Sequence, residues 1–325
     1  MRKVDRNKVS EPGILKSPFT TNPKVSELER SKLYYVDQQG KKPSFKRYKE
    51  PAVKAALREL FHGKCAYCEG YFENIHPVDV EHYRPKGSVS NSEHEGYWWL
   101  AADWENLLPS CIDCNRNRKQ EILDVSNFNT ETLYGEDYLK DLDKEGKLKM
   151  GKKDSFPLMD GSPYAQFDAD PDEQKKSLNK EQRLLLDPTR DVPDDHISFY
   201  MHEQMDVSNQ KKEIWSFVLP VYREGKVSKK GLTSSLIYGL NRLGLVKSRS
   251  QLLIELEFLW EMSIQLKRLV GKVNPEKIPD EDLRGSLTRT LVSLDKKIIQ
   301  TLHDKMQDDA PYCSMVRVWY KGKLA

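Results

Sequence analysis

The chain has 325 residues, of which 38% are apolar and 32% are charged. This composition allows a buried core, and the length fits about two domains. Basic residues number 53 and acidic residues 50, and a net charge of +3 excludes a protein that binds nucleic acid through overall charge alone. No apolar run approaches the roughly 20 residues that cross a bilayer, and the polar N-terminal residues lack the apolar centre of a secretory signal. We therefore predict a cytoplasmic protein without a membrane partner.

The first part of the chain predicts an extended lead-in followed by a helix. Residues 1–50 are polar and contain scattered prolines, which is typical of a loop-rich segment. From Pro51 onward, apolar residues at Val53, Leu57 and Leu60 have helical spacing, and a glycine follows as a stop signal. We predict that residues 51–128, which hold four of the five cysteines, form one domain.

The rest of the chain predicts a linker and then a helical domain. Acidic and lysine runs dominate residues 129–182, which we interpret as a charged surface insertion or linker. Residues 183–325 begin with a short apolar strand and continue with helical patterns. Residues 250–270 are apolar nearly all round, and apolar residues recur every three or four positions over 283–302. The predicted fold class is therefore α+β, with a mostly α-helical C-terminal region that serves as a scaffold or binds a partner.

Four cysteines form two CxxC pairs, Cys65–Cys68 and Cys111–Cys114. Each CxxC turn presents two thiolates to one ion, and two such turns complete the tetrahedron that Zn²⁺ prefers. A closed four-cysteine site leaves no position for a substrate, so the predicted zinc is structural. Redox pairs and unrelated buried cysteines are the alternatives, but a redox CxxC usually occurs singly on a thioredoxin-like pattern, which is absent here. Cys313 stands apart, and we interpret it as a buried thiol.

A group of polar residues lies between and just after the cysteine pairs. Glu81 and His82 belong to the run DVEHYRPK, Asn106 follows in WENLL, and Asn115 comes directly after Cys114. This order resembles the HNH endonucleases, in which an acidic residue and a His lie on a strand, an Asn in a loop, and an Asn or His after the last cysteine. The resemblance implies a ββα-metal core around one divalent ion. Many family members have Asp where Glu81 stands and His where Asn115 stands.

Hydrolysis of a phosphodiester explains why these residue types belong together. A neutral imidazole can accept the proton of an attacking water, so His82 is the candidate general base. Carboxylate and amide oxygens bind hard cations, so Glu81 and Asn115 are the candidate ligands of a catalytic Mg²⁺ or Mn²⁺. The resemblance gives Asn106 the role of holding the loop that orients His82. Contacts to nucleic acid are predicted for nearby basic residues, the last three of them in the first turn of a helix: Arg84, Lys86, Arg116, Arg118 and Lys119.

Longer runs of sequence narrow the resemblance to one group within the HNH endonucleases. The runs GKCAYCEGYF, DVEHYRPKG and GYWWLAADWENLLPSCIDCNRNRK are similar to HNH nucleases of bacterial anti-phage operons, which include the PtuB-type nucleases of Septu systems and retron-associated nucleases. A weaker likeness extends over residues 57–249. The resemblance implies an effector nuclease that cleaves DNA and works beside an ATPase of the ABC or SMC-like type.

Two other functions stay open on the sequence. HNH chemistry attacks the phosphodiester and need not exclude a 2′-hydroxyl, so RNA, such as a tRNA, is an alternative substrate. The other alternative is a non-catalytic zinc module that binds nucleic acid or protein, in which Glu81, His82 and Asn115 would be incidental. Residues 194–196 are interpreted as a turn. Three tryptophans are expected to pack in the core rather than to stack on bases: Trp98, Trp99 and Trp104.

Overall fold

A computed structural model of the chain describes residues 1–20, 24–72, 77–122, 140, 143, 147–206 and 211–325. The chain divides into two compact units. The first unit comprises Met1–Ser198 and Val218–Leu243, and the second comprises Phe199–Phe217 and Gly244–Ala325. Within the described residues, no helix combines the length and the apolar character needed to cross a membrane.

The predicted lead-in, residues 1–50, is more structured than expected. It contains α1, Glu27–Tyr35, which begins with a capping box whose N-cap residue is Ser26. It also packs onto the rest of the first unit, because the buried Arg6 donates a hydrogen bond of 2.7 Å to the backbone oxygen of Leu107. The described part of the segment also contains 3-10 turns at Arg6–Lys8, Gly13–Leu15 and Arg47–Lys49.

The helix predicted after Pro51 is confirmed as α2, Pro51–Phe61. Proline suits the first helical position because the amide that it lacks would have no intrahelical partner there. The apolar positions that predicted the helix form its buried face, which includes Val53, Leu57 and Leu60. The helix ends at Phe61, and the capping residue His62 has a φ of 54°, in the left-handed region. The first cysteine pair begins at Cys65, four residues after the end of this helix.

A small sheet and a one-turn helix carry the residues around the second cysteine pair. β1, Asp79–His82, pairs antiparallel with β2, Leu107–Ser110. In this register His82, the last residue of β1, lies opposite Leu107. α3 spans Ile112–Asn115 and follows β2 closely. The local order is thus strand, strand and short helix, while the assignment of this region to a ββα-metal core stays a prediction.

The residues after α3 form a strand where a longer helix was expected. β3, Arg118–Glu121, pairs antiparallel with β4, Lys147–Met150. The backbone of Arg116 is already extended, with φ −91° and ψ 129°, and pairing with a segment distant in sequence keeps the chain extended. The predicted helical turn is therefore wrong for three basic residues, Arg116, Arg118 and Lys119.

The predicted linker is packed in its described part. Residues 147–182 belong to the first unit, begin with β4 and contain α4, Pro171–Lys180. The prediction of a surface segment is wrong here, because several of its side chains are buried: Lys152, Phe156 and Glu181. Composition misled because charged residues are normally exposed, and only tertiary contacts reveal the exceptions. Residues 129–146, apart from 140 and 143, lie outside the described residues.

The chain beyond residue 183 is mostly helical, as predicted. The units do not divide at residue 183, however, because 183–198 and 218–243 belong to the first unit. The elements in chain order are β5 (Ile197–Asp206), β6 (Lys211–Pro220), β7 (Tyr222–Arg223), β8 (Lys226–Val227), α5 (Lys229–Ile237), α6 (Leu243–Lys272), α7 (Glu281–Asp304) and α8 (Cys313–Leu324). Pairing joins β5 to β6 and β7 to β8. The second unit buries an apolar core of Ile214, Leu252, Leu253, Leu256, Leu302, Met315, Val316 and Trp319.

Candidate metal centre and active-site cavity

The four cysteines of the CxxC pairs come together inside the first unit. All four are buried, and their sulfur atoms lie within 4.8 Å of one another. The Sγ atoms of Cys68 and Cys111 are 3.9 Å apart, close to the edge of about 3.8 Å in a tetrahedron with bonds of about 2.3 Å. Across the described residues, they are the one group of three or more His, Cys, Asp or Glu side chains suited to a metal ion. The cluster therefore fits Zn²⁺.

Backbone hydrogen bonds hold the two cysteine turns next to each other. The first turn closes where the Glu69 amide donates to the Cys65 oxygen at 3.0 Å. The Ala66 amide donates to the Pro109 oxygen of β2 at 2.9 Å. This bond ties the first cysteine turn to the strand that leads into Cys111. The sheet that positions His82 thus also positions the metal centre.

Arg242 places a positive charge against the cysteine cluster. Its Nη1 lies 3.4 Å from the Cys114 sulfur, and its Nη2 lies 3.7 Å from Cys111 and 4.0 Å from Cys68. Burial alone lowers the pKa of this guanidinium, but the cysteine sulfurs raise it and leave it well above its ordinary value. Four thiolates and one Zn²⁺ carry a net charge of −2, which the guanidinium partly offsets. Nothing in the sequence marks Arg242, since 128 residues separate it from Cys114.

We expect Arg242→Met to lower the zinc affinity of the protein by about 10- to 100-fold, because residues that contact metal ligands tune the metal by amounts of this order. The measurement is competition for zinc with a chromophoric chelator. Arg223→Met is the matched control, because Arg223 is an exposed arginine whose guanidinium pairs with Asp195 instead. Unchanged affinity in the Arg242 variant would show that the guanidinium only fills space.

A cavity of about 1080 Å³ opens beside β1. Three of the four predicted catalytic residues, Glu81, His82 and Asn115, line it together. The sequence therefore anticipated residues that the fold brings to one place, although they come from two separate elements. Asp79 of β1 also lines the cavity, and sequence reasoning assigned it no role.

His82 is buried at the cavity, with 4% of its surface exposed. Its Nε2 lies 2.9 Å from the backbone oxygen of Ala101. A carbonyl oxygen only accepts, so Nε2 carries the proton and Nδ1 is the basic nitrogen. Burial, and then the positive charge of Lys86, lower the pKa of His82 well below its ordinary value. The imidazole is therefore neutral near pH 7, which is the state that a general base needs.

Lys152 is a buried partner of Glu81 that sequence reasoning missed. The lysine side chain is fully buried, and its Nζ lies 2.6 Å from Glu81 Oε1 and 2.9 Å from the backbone oxygen of His82. Burial raises the pKa of Glu81, while the ammonium group of Lys152 acts to lower it. Lys152 lies in the segment that composition assigned to a linker, so no local signal pointed to it. Lys152 holds both the Glu81 carboxylate and the end of β1 in place.

Asn115 and Asp79 form a second polar group at the cavity. The Asn115 amide Nδ2 donates to Asp79 Oδ2 at 3.3 Å, which leaves the Asn115 Oδ1 as an acceptor. Both carboxylate oxygens of Asp79 contact Arg116, at 3.0 and 3.2 Å. Arg116 therefore lies at the cavity with its guanidinium engaged by a carboxylate, and its contact to nucleic acid stays a prediction.

Asn106 lies behind the cavity and is buried, with 2% of its surface exposed. Its Oδ1 accepts from the Arg84 amide at 2.7 Å, and its Nδ2 donates to the Arg84 oxygen at 3.0 Å and to the Leu100 oxygen at 3.2 Å. One side chain thus pairs with both backbone groups of Arg84, two residues after His82. The contact fixes the backbone just after His82, while the orienting role of Asn106 stays a prediction.

The predicted nucleic-acid contacts separate into two groups. Lys86 and Arg116 line the cavity, whereas Arg84 does not. The Arg84 guanidinium is buried and lies 2.7 Å from Glu181, so it is committed to an internal ion pair. The other two residues lie on β3 outside the cavity lining and pair with carboxylates: Arg118 with Asp113 at 3.1 Å and Lys119 with Asp143 at 2.9 Å.

The remaining sequence interpretations concern packing. The tryptophans Trp98, Trp99 and Trp104 are buried, as expected for core residues. The turn interpretation of residues 194–196 also agrees with the structure, which has a 3-10 turn at Pro193–Asp195 followed by β5. The His196 Nδ1 lies 2.9 Å from the Ser228 hydroxyl, so the ring is used within the fold.

Fold and site together define a protein of helices and small sheets, with a four-cysteine centre that fits zinc and a polar cavity that contains His82. In sequence, the chain is 29% identical over 324 residues to Septu protein PtuB of Bacillus mycoides (strain KBAB4), which covers 97% of this chain and 88% of that protein. It is 40% identical over 67 residues to Septu protein PtuB of Bacillus thuringiensis, covering 20% of this chain and 23% of that protein.

A third similarity is to Septu protein PtuA of Bacillus mycoides (strain KBAB4). The identity is 27% over 233 residues, covering 68% of this chain and 24% of that protein. No protein-family model and no solved structure matches the chain. The similarity to PtuB along nearly the whole chain supports a relationship with the Septu proteins.

Proposed function

We propose that this protein is a metal-dependent HNH-type endonuclease and the effector of a Septu-type anti-phage defence system. The observation that carries the proposal is the shared cavity, which Glu81 and His82 at the end of β1 line together with Asn115 at the end of α3. The four-cysteine centre on the same sheet supports it, because zinc there would stabilise the site without taking part in the reaction. The similarity to Septu protein PtuB supports the choice of defence system.

In the proposed reaction His82 accepts the proton of the attacking water at Nδ1, since Nε2 donates to Ala101. Asn106 and Lys152 hold the backbone that carries this imidazole, at the Arg84 amide and at the His82 oxygen respectively. The second carboxylate oxygen of Glu81 and the Asn115 Oδ1 are hard donors at the same cavity and would hold Mg²⁺ or Mn²⁺. When bound, that cation supplies charge stabilisation to the phosphate and the departing 3′ oxygen.

DNA is the proposed substrate, and RNA such as a tRNA is the alternative. We also propose that the protein works with an ATPase of the ABC or SMC-like type. The resemblance to nucleases of anti-phage operons supports this partner. The similarity to Septu protein PtuA, beside that to Septu protein PtuB, also supports a system with more than one protein. Co-purification with the product of the neighbouring gene tests the partner directly.

We expect His82→Ala to lower the cleavage rate by about 100- to 10,000-fold, because loss of a general base has effects of this size. Plasmid DNA, both intact and heat-denatured, and total RNA, incubated side by side with Mg²⁺ or Mn²⁺, measure the activity and identify the substrate. His303→Ala is the matched control, since His303 is an exposed histidine on α7. Zinc content confirms that the variant is folded.

Two outcomes would contradict the proposal. Cleavage by His82→Ala at the rate of the unchanged protein would remove the role given to His82. A folded protein that retains zinc but cleaves neither substrate with either cation would instead favour a non-catalytic zinc module.

A further inference from the structure

The active-site cavity shares lining residues with two neighbouring cavities. Tyr35, Lys42 and Gly87 line both it and a second cavity of about 580 Å³. Asn117 and Lys149 line both it and a third cavity of about 390 Å³. Because the shared residues differ, the two neighbouring cavities adjoin the central one at different places, and we call the three together the groove; His82 lines its central part. A groove longer than the reacting group fits a polymer better than a small anion.

Lysines dominate the charge of this groove. Six of them line the central cavity, against three carboxylates, namely Asp79, Glu81 and Asp154. The first two carboxylates are already engaged, by Arg116 and Lys152 respectively. In the part of the chain that the structure describes, no carboxylate lies within the 4.0 Å ion-pair distance of these six lysines. They are Lys42, Lys49, Lys54, Lys86, Lys149 and Lys153.

The lysines also come from separate segments of the chain, so the groove is a product of the fold. Three of them follow α1 or lie at the start of α2, in the part interpreted from sequence as a lead-in or as the first helix of the domain. The others follow β1, or lie on or just after β4. The whole chain carries only +3, so the positive charge is concentrated locally where a phosphate backbone would run.

An aromatic ring stands among these charges. The Tyr48 ring centroid is 4.5 Å from that of His82. The Lys86 Nζ lies 4.7 Å and the Lys49 Nζ 5.4 Å from the Tyr48 centroid. Tyr48 is half-buried and lines the cavity, as do Tyr35 and Phe45. Aromatic rings beside ammonium groups are the combination that binds unpaired bases and their phosphates.

We propose that this groove binds one nucleic-acid strand with unpaired bases, with Lys49 and Lys86 on its phosphates and Tyr48 against a base. The inference rests on the proposed function and deepens it by naming the form of the substrate. A duplex stays straight over lengths near its persistence length of about 150 base pairs and keeps its bases stacked inside. A single strand bends and exposes base faces, so it can reach His82, of which only 4% is exposed.

The test measures binding with cleavage disabled. The full chain carrying His82→Ala is titrated into a fluorescein-labelled DNA strand, the RNA strand of the same sequence, and the duplex, and fluorescence anisotropy gives each affinity. We expect at least one of the two strands to bind about tenfold more tightly than the duplex. The difference between the DNA and RNA arms identifies which kind of strand is preferred.

Substitutions in the same background test the named residues. Lys49→Gln and Lys86→Gln should each weaken strand binding several-fold and reduce the slope of log affinity against log salt by about 0.7, the value for one phosphate contact to a single strand. Tyr48→Leu should weaken binding about tenfold, while Tyr48→Phe keeps the ring and the affinity. Lys175→Gln is the matched control, because Lys175 is exposed on α4 outside the groove.

Two results would overturn the groove proposal. One is a duplex that binds as tightly as the more tightly bound of the two strands, and the other is a loss of affinity in Lys175→Gln equal to that in the groove variants. Neither result concerns catalysis, since the readout is binding. The unchanged protein could still cleave a duplex while this proposal fails, and strand binding could hold while His82→Ala shows no loss of cleavage.

Discussion

Replacing Cys111 with serine is expected to remove zinc from the protein and unfold the centre of the first unit. Cys111 is buried, its sulfur lies 3.9 Å from that of Cys68, and its turn follows β2 closely. Zinc binding to such sites contributes roughly 10–16 kcal/mol in small zinc domains. The total stability of a domain is only about 5–15 kcal/mol. Loss of one thiolate ligand should therefore outweigh the stability that remains.

Zinc content of the purified protein, measured by atomic emission, and thermal unfolding followed by circular dichroism check this expectation. Cys313→Ser is the matched control, because Cys313 is equally buried but belongs to the second unit. The control should keep one zinc ion per chain even if its own core is weakened. One zinc ion per chain in Cys111→Ser would contradict a structural four-cysteine site.

Lys152→Met is expected to destabilise the first unit by about 3–5 kcal/mol, the usual cost of removing one partner of a buried ion pair. Glu81 has only 8% of its side chain exposed and would be left without the ammonium group 2.6 Å away. The backbone oxygen of His82 would lose its hydrogen bond as well. The end of β1 at the cavity would then lose both contacts of Lys152, the one to Glu81 and the one to the His82 oxygen.

The midpoint of urea unfolding measures this loss. Lys153→Met is the control, because Lys153 is the adjacent lysine but is exposed, and exposed substitutions stay within about 0.5 kcal/mol. The double variant Lys152→Met, Glu81→Leu should recover most of the stability, since a buried pair replaced by apolar residues is often neutral. If Lys152→Met alone unfolds at the urea concentration of the unchanged protein, the pair contributes nothing to the fold.

The features that sequence predicted well are those whose signal is local. Two CxxC pairs indicate a metal site because each turn carries its own two ligands. The helix α2 could be predicted because its buried apolar residues recur every three or four positions. The shared position of Glu81, His82 and Asn115 at one cavity followed from a motif whose order along the chain is characteristic. Each of these signals lies within a few residues or in a fixed order.

The features that sequence missed depend on distant partners. Lys152 and Arg242 are charged residues in polar surroundings, and only their contacts with Glu81 and the cysteines distinguish them. Arg84 gave the opposite error, because a basic residue beside a catalytic motif suggests a phosphate contact, yet Glu181 binds it inside the protein. The strand β3 was mistaken for helix because its partner β4 lies across the segment 123–146, where pairing cannot be inferred from composition.

The pairing of β3 with β4 has a consequence for how this protein can change in evolution. Glu121 lies opposite Lys147, so the two ends of the segment between β3 and β4 are held next to each other. Each doubling of the length of a loop between fixed ends adds only about 0.6 kcal/mol to the entropic cost of closing it. Insertions and deletions between these strands should therefore be tolerated without displacing Lys152, which follows β4 by two residues. Related proteins can differ in length at this point and still keep the same buried lysine beneath Glu81.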